Sequence, residues 1–160
     1  MKKIFSVIAL LVSSIAFGSA TIGPTFDSWT VYHVDIGSWM KTEVNVTEGT
    51  ADLSITSNRN VSMTFYTHSV LENANELGRV IDRWTLVLRV NDQPVRFIGE
   101  KSESGVITFT PASSDGKTFV INEILKKRNI LISSSDGWWF NFSGKGSSKA
   151  YDIVMKNRPL

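Results

Sequence analysis

Apolar residues recur at every second position through much of this chain, the period that buries one face of a β-strand. The clearest stretch is Trp84–Phe97. Trp84, Leu86, Leu88 and Val90 alternate with Thr85, Val87 and Arg89, and Val95 and Phe97 resume the apolar face after Asn91-Asp92-Gln93-Pro94. A turn there predicts a hairpin with Val90 opposite Val95 and Leu88 opposite Phe97. The same register sets Arg89 directly opposite Arg96 on the outer face. Like charges in that geometry repel, so two accounts stand: an acidic side chain from a neighbouring strand, or a small site for an anion or an acidic partner.

Similar stretches precede the hairpin. Trp29–Ile36 and Trp39–Val46 are rich in β-branched and aromatic residues and are separated by Gly37-Ser38. Ala51, Leu53 and Ile55 form one apolar face after a turn at Glu48-Gly49, and Val61, Met63 and Phe65 form another after Ser57–Asn60. Thr21–Phe26, broken by Gly23-Pro24, is expected to be a tether, and Val70–Asp82 a long loop. Ile107 and Phe109 belong to a further strand, Ser113–Gly116 reads as loop, and Asn122–Arg128 as a short helix capped by Asn122.

Near the C-terminus, Trp138, Phe140 and Phe142 alternate with Trp139, Asn141 and Ser143. A three-residue loop, Ser135-Asp136-Gly137 with Gly137 left-handed, puts Ile132 opposite Phe140 and Ile130 opposite Phe142. A two-residue turn would put Ile132 opposite Asn141 and split the apolar faces, so the three-residue loop is expected. Adjacent strand residues point to opposite faces, so Trp138 should enter the core while Trp139 lies on the outer face. There Trp139 is either covered by another element or left as a contact residue. After Gly144-Lys145-Gly146, Ser147 or Ser148 should cap a short helix with Ala150, Ile153 and Val154 as its apolar stripe. The sum is a mainly β chain, an antiparallel β-sandwich with one or two short helices near the C-terminal end.

The first twenty residues have a different pattern. Lys2 and Lys3 precede an apolar run, Ile4–Val12, and Gly18-Ser19-Ala20 offers small residues for cleavage. These are the parts of a secretory signal peptide, with cleavage expected after Ala20 and a single domain over residues 21–160. The apolar run is too short for a stable membrane anchor. Loss of Lys2 and Lys3 from 17 basic residues leaves as many bases as the 15 acids, so no nucleic-acid footprint remains. With no cysteine, the domain must be held by its core, and thiolate metal sites are excluded.

Little in the sequence points to catalysis. His33 and His68 lack the convergent groups of a metal site or a base and are expected at the surface. Ser114-Asp115-Gly116-Lys117 fits S-x-x-K, but its Asp-Gly centre predicts a turn rather than the helix that would bring lysine to serine. Gly144-Lys145-Gly146-Ser147 lacks the first glycine of a phosphate loop.

From Leu86 onward the order of features resembles the invasion-associated locus B (IalB-like) family of exported bacterial proteins. The matching residues are Asp92-Gln93-Pro94-Val95-Arg96-Phe97, Ile124-Leu125-Lys126-Lys127, and Phe140-Asn141-Phe142-Ser143-Gly144-Lys145-Gly146 with Ala150; Phe26, Trp29 and Val31 are similar to the family's opening. Family members often carry cysteines that this chain lacks. The resemblance implies a small β-sandwich in the periplasm or secreted space and a link to host invasion, and brings no catalytic residues. The expectation is therefore a non-enzymatic exported protein, without cofactor or metal, that binds an envelope or host protein, with Trp139, Arg89 and Arg96 as candidate contacts. The alternative is a glycan or peptidoglycan-fragment binder that stacks sugar on an exposed tryptophan.

Overall fold

The computed structural model describes residues 20–35, 37–67, 79–126 and 128–157. Among them the alternating stretches become ten strands: β1 (Thr21–Phe26), β2 (Trp29–Val34), β3 (Gly37–Val46), β4 (Gly49–Thr56), β5 (Val61–Thr67), β6 (Val80–Val90), β7 (Gln93–Ser102), β8 (Ile107–Pro111), β9 (Asn129–Ser133) and β10 (Trp139–Ser143). Helix α1 (Ser114–Lys126) precedes β9, and α2 (Ser147–Lys156) follows β10. Every pairing is antiparallel, in the order β1-β2-β3-β4-β5-β8-β7-β6-β9-β10. The chain is mainly β with two short helices, as its pattern predicts.

The single sheet curls so that its two halves face each other across one core. β10 lies against β3 across the interior, and the Phe65 and Phe140 rings meet at 5.7 Å. The core combines Trp29, Val31, Met40, Leu53, Ile55 and Met63 from one half with Leu88, Phe97, Ile130, Ile132 and Phe142 from the other. Ala150 and Val154 of α2 and Val120, Ile121 and Ile124 of α1 join this same core. The helices also meet end to end: Ser147 and Ser148 donate their hydroxyls to the Ile124 and Leu125 carbonyls at 2.8 and 3.1 Å. They thereby satisfy carbonyls at the end of α1 that lack an intrahelical partner. The residue at the N-cap of α2 is Gly146, at φ 84°, so neither serine caps that helix by its side chain.

The central hairpin corrects one expectation. Asn91 and Asp92 both have positive φ, 46° and 71°, so they form a two-residue turn of the I′ kind. Val90 therefore pairs with Gln93, Leu88 with Val95 and Leu86 with Phe97, two residues away from the expected register. A shift of two keeps every side chain on its expected face. Asn91 favours the tight turn because its carboxamide has other partners. It donates to Glu123 Oε2 at 2.8 Å and accepts from the Leu131 amide at 2.9 Å.

Other differences lie where local turn signals yield to pairing. Thr21–Phe26 is an edge strand rather than a tether, with an irregular register between Ile22 and Thr25 that absorbs Gly23-Pro24. Val80–Asp82 belong to β6; the rest of the expected loop, apart from Arg79, lies outside the described residues. α1 begins eight residues before the helix expected from Asn122. Ser113 caps it instead, its hydroxyl accepting from the Gly116 amide at 3.0 Å. The C-terminal hairpin has the expected register: Phe140 pairs with Ile132, Phe142 with Ile130, and Gly137 sits at φ 94°.

Candidate functional site

The three candidate contact residues lie on the outer face of the β7-β6-β9-β10 end of the sheet, Arg96 on β7, Arg89 on β6 and Trp139 on β10. Arg89 of β6 pairs with Ser133 of β9, and Ser133 pairs with Trp139 of β10, so Arg89, Ser133 and Trp139 stand in one row across three strands. Trp139 is 61% exposed and Val87 54%, and Leu131 is exposed on the same face of β9. Leu131 is diagonal to Trp139, and Val87 lies two residues along β6 from Arg89. Asn141 flanks Trp139 on the same face of β10. The arrangement is a shallow surface with aliphatic and indole groups beside guanidinium groups.

Arg89 and Arg96 share this face but are not directly opposite each other. Arg89 faces Pro94 and Arg96 faces Val87. The two-residue turn sets them on a diagonal, which relieves the repulsion expected from the four-residue loop. Arg89 Nη1 donates to the Asp92 carbonyl at 2.9 Å across the turn. Among the described residues, neither arginine forms an ion pair with a carboxylate, whereas Arg83 pairs with Glu100 and Arg79 with Glu103 further along the hairpin.

Trp138 points inward as its parity requires, but it is half-buried rather than enclosed. Its ring packs on Phe109 at 5.7 Å and on Phe140 at 5.4 Å. His33 is tied to Ser38, with Nδ1 2.8 Å from the hydroxyl; His68 lies outside the described residues. The S-x-x-K segment opens a helix, contrary to the expected turn. Its Lys117 ammonium donates to Asn60 Oδ1 at 2.9 Å, and no hydrogen bond joins it to Ser114. Among the described residues, no group of three or more His, Asp or Glu is placed to hold a metal ion.

A second cluster was not legible from motifs. On the face of β3 and β4 away from the core, Glu43 pairs with Asp52, and Lys41 lies one outward position along β3. The Lys41 ammonium contacts Glu43 Oε1 and is 3.3 Å from Asp52 Oδ2. Lys41 is 7% and Asp52 5% exposed, while Asp52 Oδ1 has no hydrogen-bond partner among the described residues. Burial, reinforced by the Glu43 carboxylate, raises the Asp52 carboxyl to about 6 against the pull of Lys41. Burial also acts to lower Lys41, but Asp52 and Glu43 together hold its ammonium above the usual lysine value. Burial raises the Tyr66 phenol, and the same two carboxylates add to that. Tyr32 stacks on Trp39 at 5.1 Å beside this cluster. The signal in the sequence was the turn before Gly49, since a two-residue loop there places Glu43 opposite Asp52.

Comparison with protein families, with characterised proteins and with solved structures finds no match to this chain.

Proposed function

We propose that the chain is an exported, non-catalytic protein of the cell envelope or secreted space that binds a protein partner through the outer face of β6, β9 and β10. The row Arg89–Ser133–Trp139, with Val87 and Leu131 exposed around it, carries this proposal. Tryptophan and arginine are the side chains most enriched where interfaces concentrate their affinity. Two arginines without carboxylate partners among the described residues make an acidic rim on the partner the complementary choice. Aliphatic neighbours suit a protein surface better than a sugar, whose hydroxyls need several polar groups around the stacking ring. The resemblance to the invasion-associated family points the same way, towards an envelope or host protein.

Capture from solubilised native envelope tests the proposal. Trp139→Ala is expected to reduce specific capture at least tenfold while changing stability by less than about 1 kcal/mol, because the ring is exposed. Unchanged capture would remove this face from consideration. Specific retention on a glycan array, lost in the same variant, would move the assignment to the glycan reading. Export is tested separately by mass spectrometry of the protein from its native compartment. The expected N-terminus is Thr21, the first residue of β1, and a retained Met1 would overturn it.

A further inference from the structure

The two edges of the sheet differ in how they are protected. β1, at one end, has Gly23-Pro24 within it and an irregular register, and both devices discourage another strand from adding there. β10, at the other end, reads Trp139-Phe140-Asn141-Phe142-Ser143, with no proline, no charge and an unbroken register against β9. An edge of that composition is open to strand addition unless something occupies it.

The direction of its main-chain groups follows from the hairpin bonds. The Ser134 amide donates to the Trp138 carbonyl at 3.0 Å, and the Gly144 amide donates to the Arg128 carbonyl at 2.7 Å. Bonded and non-bonded pairs alternate along an antiparallel ladder, so residues 138, 140, 142 and 144 bond towards β9. Trp139, Asn141 and Ser143 direct their amides and carbonyls to the open side. The Ser143 carbonyl already accepts from Trp29 Nε1 at 2.8 Å. Among the described residues, the outward main-chain groups of Trp139 and Asn141, both exposed, have no partner.

We propose that an extended segment of the partner adds to the edge of β10, pairing with the main chain of Trp139 and Asn141 while its outward side chain packs beside the Trp139 ring. This rests on the assignment of the β10 face to protein binding and specifies how the partner engages it. The segment is short, uncharged where it pairs and free of proline, with an apolar residue on its inward side next to Phe140. A second copy fits less well: paired two-fold about Phe140 it would reach the same two residues, but its β9 and β10 carry no carboxylate, so it brings no acidic group to Arg89 and Arg96.

The probe is a peptide selected from a phage-displayed random dodecapeptide library on the purified protein. Its binding is expected to slow hydrogen exchange at the Trp139 and Asn141 amides at least tenfold. Asn141→Pro removes an outward amide without removing a bond to β9, and is expected to weaken the peptide at least tenfold. Asn141→Ala keeps that amide and should stay within threefold of the parent. Equal affinities of the Pro and Ala variants would overturn the proposal, as would a library yielding no peptide that protects these two amides. Protection that grows with protein concentration alone, with a dimer in sedimentation, would overturn it in favour of a second copy. If Trp139→Ala weakens partner capture and Asn141→Pro does not, the edge is excluded while the binding face stands.

Discussion

Replacing Trp29 with alanine is expected to cost about 3–5 kcal/mol, enough to threaten folding of a domain whose total stability is of order 5–15 kcal/mol. Trp29 is fully buried at the start of β2, in a core that includes α2 residues Ala150 and Val154. Its indole N–H donates to the Ser143 carbonyl at the far end of the sheet order. One side chain therefore fills the core and ties the two ends of the curled sheet together. Trp29→Phe separates these roles, because it keeps most of the volume but leaves the carbonyl without its donor, at a cost of about 1–3 kcal/mol. Urea unfolding of both variants measures the two costs. Hydrogen exchange in Trp29→Phe should also speed up at the Ser143 end of β10 before anywhere else. If Trp29→Ala is destabilised by less than about 1 kcal/mol, the curl is held by the helices and not by this contact.

How far the sequence foretold this arrangement depended on which signal carried each element. The C-terminal hairpin was legible because only one loop length kept Ile130, Ile132, Phe140 and Phe142 on a single face. In the central hairpin, two turns differing by two residues satisfy the same alternation. Parity placed Arg89 and Arg96 on the right face but could not choose their partners. The choice came from Glu123 and Leu131, distant in sequence, which hold the Asn91 carboxamide. Similarly, Asp115-Gly116 reads as a turn until the Ser113 hydroxyl caps the Gly116 amide and the Val120, Ile121 and Ile124 stripe is buried. Trp139 was visible as an outward tryptophan, but only the order of strands showed that it stands in line with Arg89.

The charged cluster on β3 and β4 makes the remaining strong prediction, because its energy depends on pH. Lys41→Met leaves the buried Asp52 carboxyl beside Glu43 with no countercharge, and the expected cost at pH 7 is about 3–5 kcal/mol. In the parent protein the Asp52 carboxyl titrates at about 6 in the fold, against about 3.9 in an unfolded chain. Between those values the folded state holds the extra proton, so this group's contribution to stability is greatest in acid and declines as pH rises through that window. The decline is on the order of 3 kcal/mol by pH 7. Asp52→Asn cannot ionise and should lose this decline, so its stability relative to the parent should rise between pH 4 and pH 7. The cost of Lys41→Met should shrink below pH 5, where a neutral Asp52 needs no countercharge. Urea midpoints for the three proteins at pH 4, 5.5 and 7 decide the matter. Parallel pH profiles for the parent and Asp52→Asn would mean that Asp52 is ionised throughout, with the Lys41 ammonium outweighing the burial that raises it.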